Sequence, residues 1–241
     1  MKSTLFHLNQ FQPSQNNRMT SLRLPNALFS GAGSGKISLQ LTGFKCQGQV
    51  KPDLARASIC ILTSAGEQQT ISLETKEEFA NVKDLCKFLE SKSNNLLEFK
   101  GNNTAIDIIP ASSVSTYCFS PSLSSILGLP VGVVHSGKLS SVEVDLFAQF
   151  RQLGVVCTEL QNNSFCNQSQ FGVLAFVSLS LGRRGKIAGC SIEATPSTCN
   201  LETIPNLSSL SFQLISLASP EVILPLSQIN SLNLTLRLNE N

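Results

Sequence analysis

One glycine-rich segment has the residue types of a phosphate-binding loop. Residues 31–36 read Gly-Ala-Gly-Ser-Gly-Lys. A loop of that kind needs a glycine five positions before its Gly-Lys pair and a Ser or Thr after the lysine, because backbone N–H groups cradle the phosphates and the hydroxyl holds Mg²⁺. Ser30 and Ile37 occupy those positions, and no strand pattern precedes the loop. We therefore expect no nucleotide site here and interpret the segment as a flexible hinge.

Histidine and cysteine are placed poorly for a metal or a nucleophile. The two histidines, His7 and His135, are far apart, and no Cys-x-x-Cys pair occurs. Zinc sites need Cys and His ligands at short, regular spacings. A Cys–His nucleophile pair would have to recruit His135, which follows Val133 and Val134 in a glycine-rich stretch. We interpret His135 as an exposed loop residue.

The remaining chemistry-bearing residues also lack a partner. Four carboxylates, Glu77, Glu78, Asp84 and Glu90, fall on one predicted helix and are typical of a solvated face rather than of an acid–base pair. Trp is absent and Tyr117 is the single tyrosine, so a stacking platform for sugars or single strands is missing. The sequence predicts no catalytic residue, no metal, no cofactor and no enzymatic activity.

The charge is low and unevenly distributed. Only 14% of residues are charged, against about 25% in an ordinary soluble domain. That scarcity indicates either a surface buried against other subunits or a polar surface of Ser, Asn and Gln. Residues 1–52 carry six basic groups and no acid, whereas the rest has a net charge of −4. A basic segment of this kind favours an anionic partner such as nucleic acid.

Residues 1–36 are predicted to form an extended N-terminal arm. The segment is rich in Asn, Gln, Ser and Pro, yet it contains too many Leu and Phe residues for a pure spacer. The arm would dock on a protein, lie along its own body, or make a weak, salt-sensitive contact with genomic DNA. Its candidate interface residues are Lys2, Phe6, Phe11, Arg18, Arg23 and Phe29.

The chain is expected to be made and kept inside a cell. No apolar run approaches the length of a membrane span, and the first ten residues lack the apolar stretch of a signal peptide. In a reducing compartment scattered cysteines act as small hydrophobic residues, and two of them, Cys60 and Cys118, lie in apolar runs. We expect all eight to be buried: Cys46, Cys60, Cys86, Cys118, Cys157, Cys166, Cys190 and Cys199.

Residues 37–241 are predicted to form one all-β domain. Residues 37–41, 142–146 and 232–238 alternate with period two, 172–181 are almost continuously apolar, and further short strands follow the same pattern. Residues 97–108 read as a hairpin around a Gly-Asn-Asn-Thr turn. Many short strands at regular spacing indicate a β-sandwich or jelly roll.

One main helix interrupts the strands. Thr75 and Glu78 form a capping-box pattern, and apolar residues then recur at helical spacing as far as Ser91. A second, short helical turn follows Phe119-Ser120-Pro121 and stops at Gly128.

The order of these elements resembles that of the penton, or minor capsid, proteins of Polinton/Maverick elements, adintoviruses and adomaviruses. The sharpest match is the segment 119–129, Phe-Ser-Pro-Ser-Leu-Ser-Ser-Ile-Leu-Gly-Leu, which resembles the family's F-S-x-x-L-x-x-I-L-G-F. The strands at 155–160, 173–176 and 232–238 are similar to later strands of the family, although Thr158 replaces its usual Asp. The resemblance covers residues 58–241 and leaves the arm out.

This resemblance implies a single jelly-roll capsid protein at the five-fold vertices of an icosahedral DNA virus. Its implied partners are four further copies in a homopentamer and the adjacent hexon-type major capsid proteins, under which the arm reaches. Its implied location is the virion, after synthesis in the host cell and assembly in the cytoplasm or nucleus. Two alternatives stay open: a cement or triplex-type minor capsid protein, and a receptor- or glycan-binding β-sandwich.

Overall fold

The computed structural model describes ten stretches of the chain. These are residues 2–8, 20–23, 37–74, 79, 81–101, 104–158, 172–194, 199–201, 209–219 and 222–240.

The described residues form fifteen strands and two α-helices. The strands are β1 Lys2–Leu8, β2 Thr20–Arg23, β3 Ile37–Gly48, β4 Ser58–Thr63, β5 Gln68–Ser72, β6 Leu97–Gly101, β7 Ala105–Pro110, β8 Val114–Phe119, β9 Leu139–Glu143, β10 Gln152–Cys157, β11 Gly172–Leu181, β12 Ile187–Ala194, β13 Cys199–Leu201, β14 Ser209–Ser216 and β15 Ile229–Glu240. The helices are α1 Val82–Lys92 and α2 Pro121–Ile126. Every strand pairing is antiparallel.

The chain folds into two compact units. Unit 1 comprises residues 1–50 and 150–241, and unit 2 comprises residues 51–149. This division differs from the predicted boundary at residue 36, because β1 and β2 of the predicted arm pair with strands of unit 1. The arm and single-domain boundaries stay a prediction, and we describe each compact unit by itself.

Unit 1 is a sandwich of two sheets. One has the strand order β1-β15-β3-β13, and the other has the order β12-β11-β10-β14-β2. The two longest strands, β3 and β15, pair over almost their full lengths and bury alternate residues such as Leu39, Leu41, Leu234 and Leu236. Period-two burial of this kind is what one buried face of a sheet requires.

The chain of unit 1 passes repeatedly between its two sheets. It runs from β1 to β2 to β3, through β10–β12, and then from β13 to β14 to β15, changing sheet at each step outside the β10–β12 meander. Its first long strand thus pairs with its last, as in a double-sheet jelly roll. The predicted all-β, jelly-roll class is confirmed. The central strand β10 buries every residue from Leu153 to Cys157, so both of its faces are covered.

Unit 2 contains both helices and two three-stranded sheets, β5-β4-β8 and β6-β7-β9. Its core joins one face of each sheet to the apolar side of α1 and to α2. From α1 the buried residues are Val82, Leu85, Cys86, Phe88 and Leu89. Their spacing is that of an amphipathic helix, so burial of this stripe holds α1 on the sheets.

Several local predictions are confirmed. The hairpin forms as β6 and β7, with Phe99 opposite Ile108. The apolar run at 172–181 is β11, with the predicted bounds. The short turn after Ser120 is α2.

The main helix starts later in the chain than the sequence pattern predicts. The helix begins at Val82 rather than near Glu77, and its N-cap is Asn81. The Asn81 side chain accepts a 3.0 Å hydrogen bond from the Asp84 amide and donates one of 2.8 Å to the Asp84 carboxylate. The predicted capping box at 75–78 lies outside the described residues. Phe79 is buried ahead of the helix and packs its ring against Phe88.

Candidate functional site

An exposed apolar loop follows α2 in unit 2. We call residues 129–138 the valine loop, because Val131, Val133 and Val134 expose 53%, 40% and 62% of their surfaces. Only two other large hydrophobic residues in the described stretches, Leu5 and Leu62, are comparably exposed. Apolar side chains that cluster at the surface mark interaction sites more often than single exposed ones do. The loop is therefore the strongest candidate for a contact surface.

The loop is held in place by Tyr117 of β8. The Tyr117 amide donates to the His135 carbonyl at 2.9 Å, and the His135 amide donates back to the Tyr117 carbonyl at 2.8 Å. The Tyr117 hydroxyl also donates to the Gly137 carbonyl at 2.9 Å. Because Tyr117 is almost fully buried, its ring fixes the loop to the core. Burial also raises the pKa of Tyr117 to about 12, so the phenol stays neutral and keeps its donor proton.

An ion pair holds the far end of the loop. The Lys138 ammonium lies 2.7 Å from the Asp107 carboxylate of β7, which also accepts a 2.9 Å hydrogen bond from the Ser141 amide. Ser141 has a positive φ of 54°, which is uncommon for a residue other than glycine. The hydrogen bonds from Lys138 and Ser141 lower the pKa of Asp107 below its usual value. The contacts of His135, Gly137 and Lys138 thus fix the C-terminal end of the valine loop.

The residue before the loop is a glycine that no other residue could replace without strain. Gly128 follows the C-cap of α2 with a φ of 64°, and a Cβ on it would clash with the Glu143 carbonyl oxygen. The next amide, that of Leu129, bonds back to the Ser124 carbonyl at 2.9 Å. This is a left-handed helix termination, which sends the chain away from the helix axis.

A second surface lies beside the loop on the β5-β4-β8 sheet. Ile59, Ile61 and Phe119 of this sheet face into the core. Successive residues of a strand point to opposite sides of the sheet, so the residues that alternate with them face away from the core. We call this surface the outer face; its residues are Ser58, Cys60, Leu62, Gln68, Thr70, Ser72, Thr116 and Cys118. None of them is charged. Most of them are small and polar. On this surface Ser, Thr and Gln therefore take the place of charged residues, which is the second of the two explanations for the low charge of the chain.

Two cysteines lie on the outer face. Cys60 of β4 is directly opposite Cys118 of β8, and both are half-buried. The prediction that all cysteines are buried is wrong for these two and for Cys190, whereas Cys46, Cys86 and Cys157 are buried. The apolar runs that contain Cys60 and Cys118 are sheet strands, in which alternate residues face outward. Cys166 and the side chain of Cys199 lie outside the described part of the chain.

The chain has little similarity to known proteins. No protein-family model matches the chain, and no curated protein matches it. Among solved structures, the crystal structure of the mavirus penton protein is similar over 100% of both chains, with a TM-score of 0.49 and 10% sequence identity. A likeness that distant carries no argument about function.

The part of the chain that the structure describes contains no cluster of metal ligands. Within it no group of three or more His, Cys, Asp or Glu residues could hold a metal ion. His135 differs from its interpretation as an exposed residue: it is half-buried, and its ring lies 5.7 Å from that of Tyr117 and 6.2 Å from that of Phe119. The described helices are all too short or too polar to cross a membrane.

Three of the six arm residues predicted as an interface lie in described strands. Lys2 and Phe6 are in β1, opposite Glu240 and Leu236 of β15, and Arg23 is in β2, opposite Ser209 of β14. These two strands therefore lie along the chain's own body, which is one of the three alternatives for the arm. Phe11, Arg18 and Phe29, like the glycine-rich segment 31–36, lie outside the described residues.

The sequence analysis missed the valine loop as a surface. The signal was present, since three valines occur within the glycine-punctuated segment 128–137. An exposed apolar loop and a buried strand end have the same local composition, however. Only the hydrogen bonds of Tyr117 and the ion pair of Lys138 distinguish them.

Proposed function

We propose that this chain is a structural capsid protein that assembles with copies of itself, as the penton at the five-fold vertices of an icosahedral DNA virus. The single observation that supports self-assembly is the valine loop. Its three exposed valines are fixed by Tyr117 and by the Asp107–Lys138 pair, so contact with another chain is the way to remove them from water.

The rigidity of the valine loop favours a preformed contact. A loop that is fixed by such contacts loses little conformational entropy when it docks. More of the free energy gained by burying its apolar side chains therefore contributes to the binding affinity. In a ring of five copies the contact is heterologous, and each valine loop packs on a different surface of the next copy. The jelly-roll sandwich of unit 1 is a fold that capsid proteins use.

The remaining parts of this proposal come from the sequence. The segment 119–129 resembles the penton family, and the homopentamer, the hexon-type neighbours and the virion location follow from that resemblance. We keep the arm residues Lys2, Phe6, Phe11, Arg18, Arg23 and Phe29 as the contact with adjacent capsid proteins, with a weak contact to genomic DNA as the alternative. Because β1 and β2 are end strands of their own sheets, Lys2, Phe6 and Arg23 would make this contact from sheet edges. The absence of enzymatic activity belongs to the same proposal.

Copy number in purified particles tests the vertex position. Five copies at each of twelve vertices give about 60 copies per particle, which quantitative mass spectrometry against labelled peptides can count. A clearly different number would assign the chain to the cement or triplex class. Absence from the particles would end the capsid proposal, and specific retention on a glycan array would then favour the glycan-binding alternative.

A further inference from the structure

Cys60 and Cys118 are placed to react with each other. They are direct partners in the antiparallel pairing of β4 with β8, so their side chains point to the same side of the sheet. Opposite residues of an antiparallel pair have Cα atoms about 4.5 or 5.5 Å apart, and both distances lie within the span of about 4.4–6.8 Å that disulfides use.

Two polar side chains of β5 lie beside the Cys60 thiol, and the Cys60 thiol lies beside that of Cys118. Gln68 donates a 3.4 Å hydrogen bond from Nε2 to the Cys60 sulfur, and the Thr70 hydroxyl lies 3.9 Å from the same sulfur. Burial raises the pKa of the Cys118 thiol, and contact with the Cys60 thiol raises it further, so its reactive thiolate forms mainly at alkaline pH. The pairing of β4 with β8 is what makes the two cysteines neighbours. Both belong to the outer face, where a small oxidant can reach them.

We propose that Cys60 and Cys118 form a reversible cross-strand disulfide, which locks β8 to β4 when the chain meets a disulfide oxidant. One thiolate attacks a sulfur of glutathione disulfide, breaks its S–S bond, forms a mixed disulfide and releases one glutathione thiolate. The second cysteine thiolate then attacks the protein sulfur of the mixed disulfide and releases the second glutathione. Two protein thiols are oxidised, and one glutathione disulfide is reduced to two thiols.

The disulfide would link β4 covalently to β8, the strand that contacts the valine loop. β8 carries Tyr117, next to Cys118, and Tyr117 makes the backbone and hydroxyl bonds to the loop. The cross-link closes a loop of about 60 residues, a size for which a disulfide stabilises mainly by restricting the unfolded chain. The chain would thus be reduced and more easily opened inside a cell, and locked outside it. This chemistry is independent of the proposed capsid role.

Peptide mapping tests the cross-link directly. The purified full-length chain is held at about pH 8.5 in glutathione buffers of rising oxidised fraction, and the remaining thiols are then alkylated. Trypsin cuts after Arg56, Lys76, Lys100 and Lys138, which leaves Cys60 in peptide 57–76 and Cys118 in peptide 101–138, each with no other cysteine. We expect these two peptides to be joined in the oxidised chain and separate after reduction. Non-reducing electrophoresis should show monomer mobility, because the link is within one chain.

Three matched variants sharpen the test. Cys60→Ser and Cys118→Ser should each abolish the joined peptides, whereas Cys190→Ser, at an equally half-buried cysteine opposite Leu179, should leave them intact. Oxidation should raise Tm by roughly 5–10 °C in the wild type and in Cys190→Ser, but should not do so in Cys60→Ser. The proposal is overturned if oxidised wild-type chain carries alkylated Cys60 and Cys118, or if either is joined to a different cysteine.

Discussion

The Tyr117 hydroxyl donates a 2.9 Å hydrogen bond to the carbonyl oxygen of Gly137, twenty residues further along the chain. The contact connects a fully buried ring to a loop whose valines face solvent. It therefore links the core of unit 2 to the surface that we assign to assembly, and the first two predictions follow from it.

Removing the Tyr117 hydroxyl should loosen the valine loop. Tyr117→Phe keeps the ring but loses the bond to Gly137, and we expect a loss of about 1 kcal/mol in the free energy of unfolding, measured by urea titration. Hydrogen exchange of amides in residues 129–138 should also become faster. The control is Ser113→Ala, in the exposed turn just before β8. Unchanged exchange in the loop of Tyr117→Phe would contradict the role of the hydroxyl.

Ionisation of Tyr117 should be shifted in the folded chain. The chain has one tyrosine and no tryptophan, so tyrosinate absorbance near 295 nm reports on this residue alone. Burial raises its pKa to about 12, against about 10 in the unfolded chain. Above pH 10 the unfolded state binds fewer protons than the folded state, so stability should fall as pH rises from about 10 through 12. A folded chain that titrates near 10 would show that the phenol is exposed.

The Asp107 carboxylate should support the loop only when ionised. Its pKa is lowered by Lys138 and by the Ser141 amide, so its contribution is fully present above the unfolded pKa of about 3.9 and is lost as pH falls through the folded value. We expect Asp107→Asn to have a lower Tm than the wild type at pH 7, and the difference to shrink below about pH 4. The control is Glu98→Gln, at a partly exposed residue of β6 that is paired with Lys100 of the same strand. A Tm difference that persists unchanged at the lowest pH would argue against this assignment.

Asn81 should be the N-cap that starts α1. Asn81→Ala removes the bond to the Asp84 amide, and we expect a cost of about 1 kcal/mol in the free energy of unfolding. Thr75→Ala tests the capping box that the sequence pattern favours, and it should cost less. If Thr75→Ala proves the more destabilising of the two, the helix starts where the sequence pattern places it.

The two cap sites show what local sequence could and could not decide. The pattern of apolar residues predicts the helix and its buried face. Phe79 fits that pattern too, yet it lies before the helix and packs on Phe88. Thr75 with Glu78 and Asn81 with Asp84 are equivalent signals in the sequence. The choice between them depends on tertiary packing, which overrides local propensity.

Strand ends and strand neighbours were harder to predict than strands. The alternation at 142–146 continues to Leu146, but β9 ends at Glu143, because the Val144 and Asp145 amides bond to the carbonyls of Thr104 and Ile126 instead. The outer face could not be predicted at all. It depends on β8 pairing with β4, which brings together Cys60 and Cys118 from strands far apart in sequence.

A charge in the valine loop should prevent assembly without unfolding the chain. Val133→Asp changes an exposed residue, so we expect its effect on the free energy of unfolding to stay within about 0.5 kcal/mol. A buried carboxylate at a contact between copies is costly, so the oligomer should dissociate. Ser112→Asp adds the same charge at an exposed turn of unit 2 and should leave the oligomer intact.

The mass of the purified chain in solution tests self-assembly most directly. Static light scattering on the full-length protein should give about 130 kDa, the mass of five chains of 26.0 kDa. Val133→Asp should give the mass of one chain, and Ser112→Asp should match the wild type. A wild-type protein that stays at the mass of a single chain at every concentration tested would contradict the account.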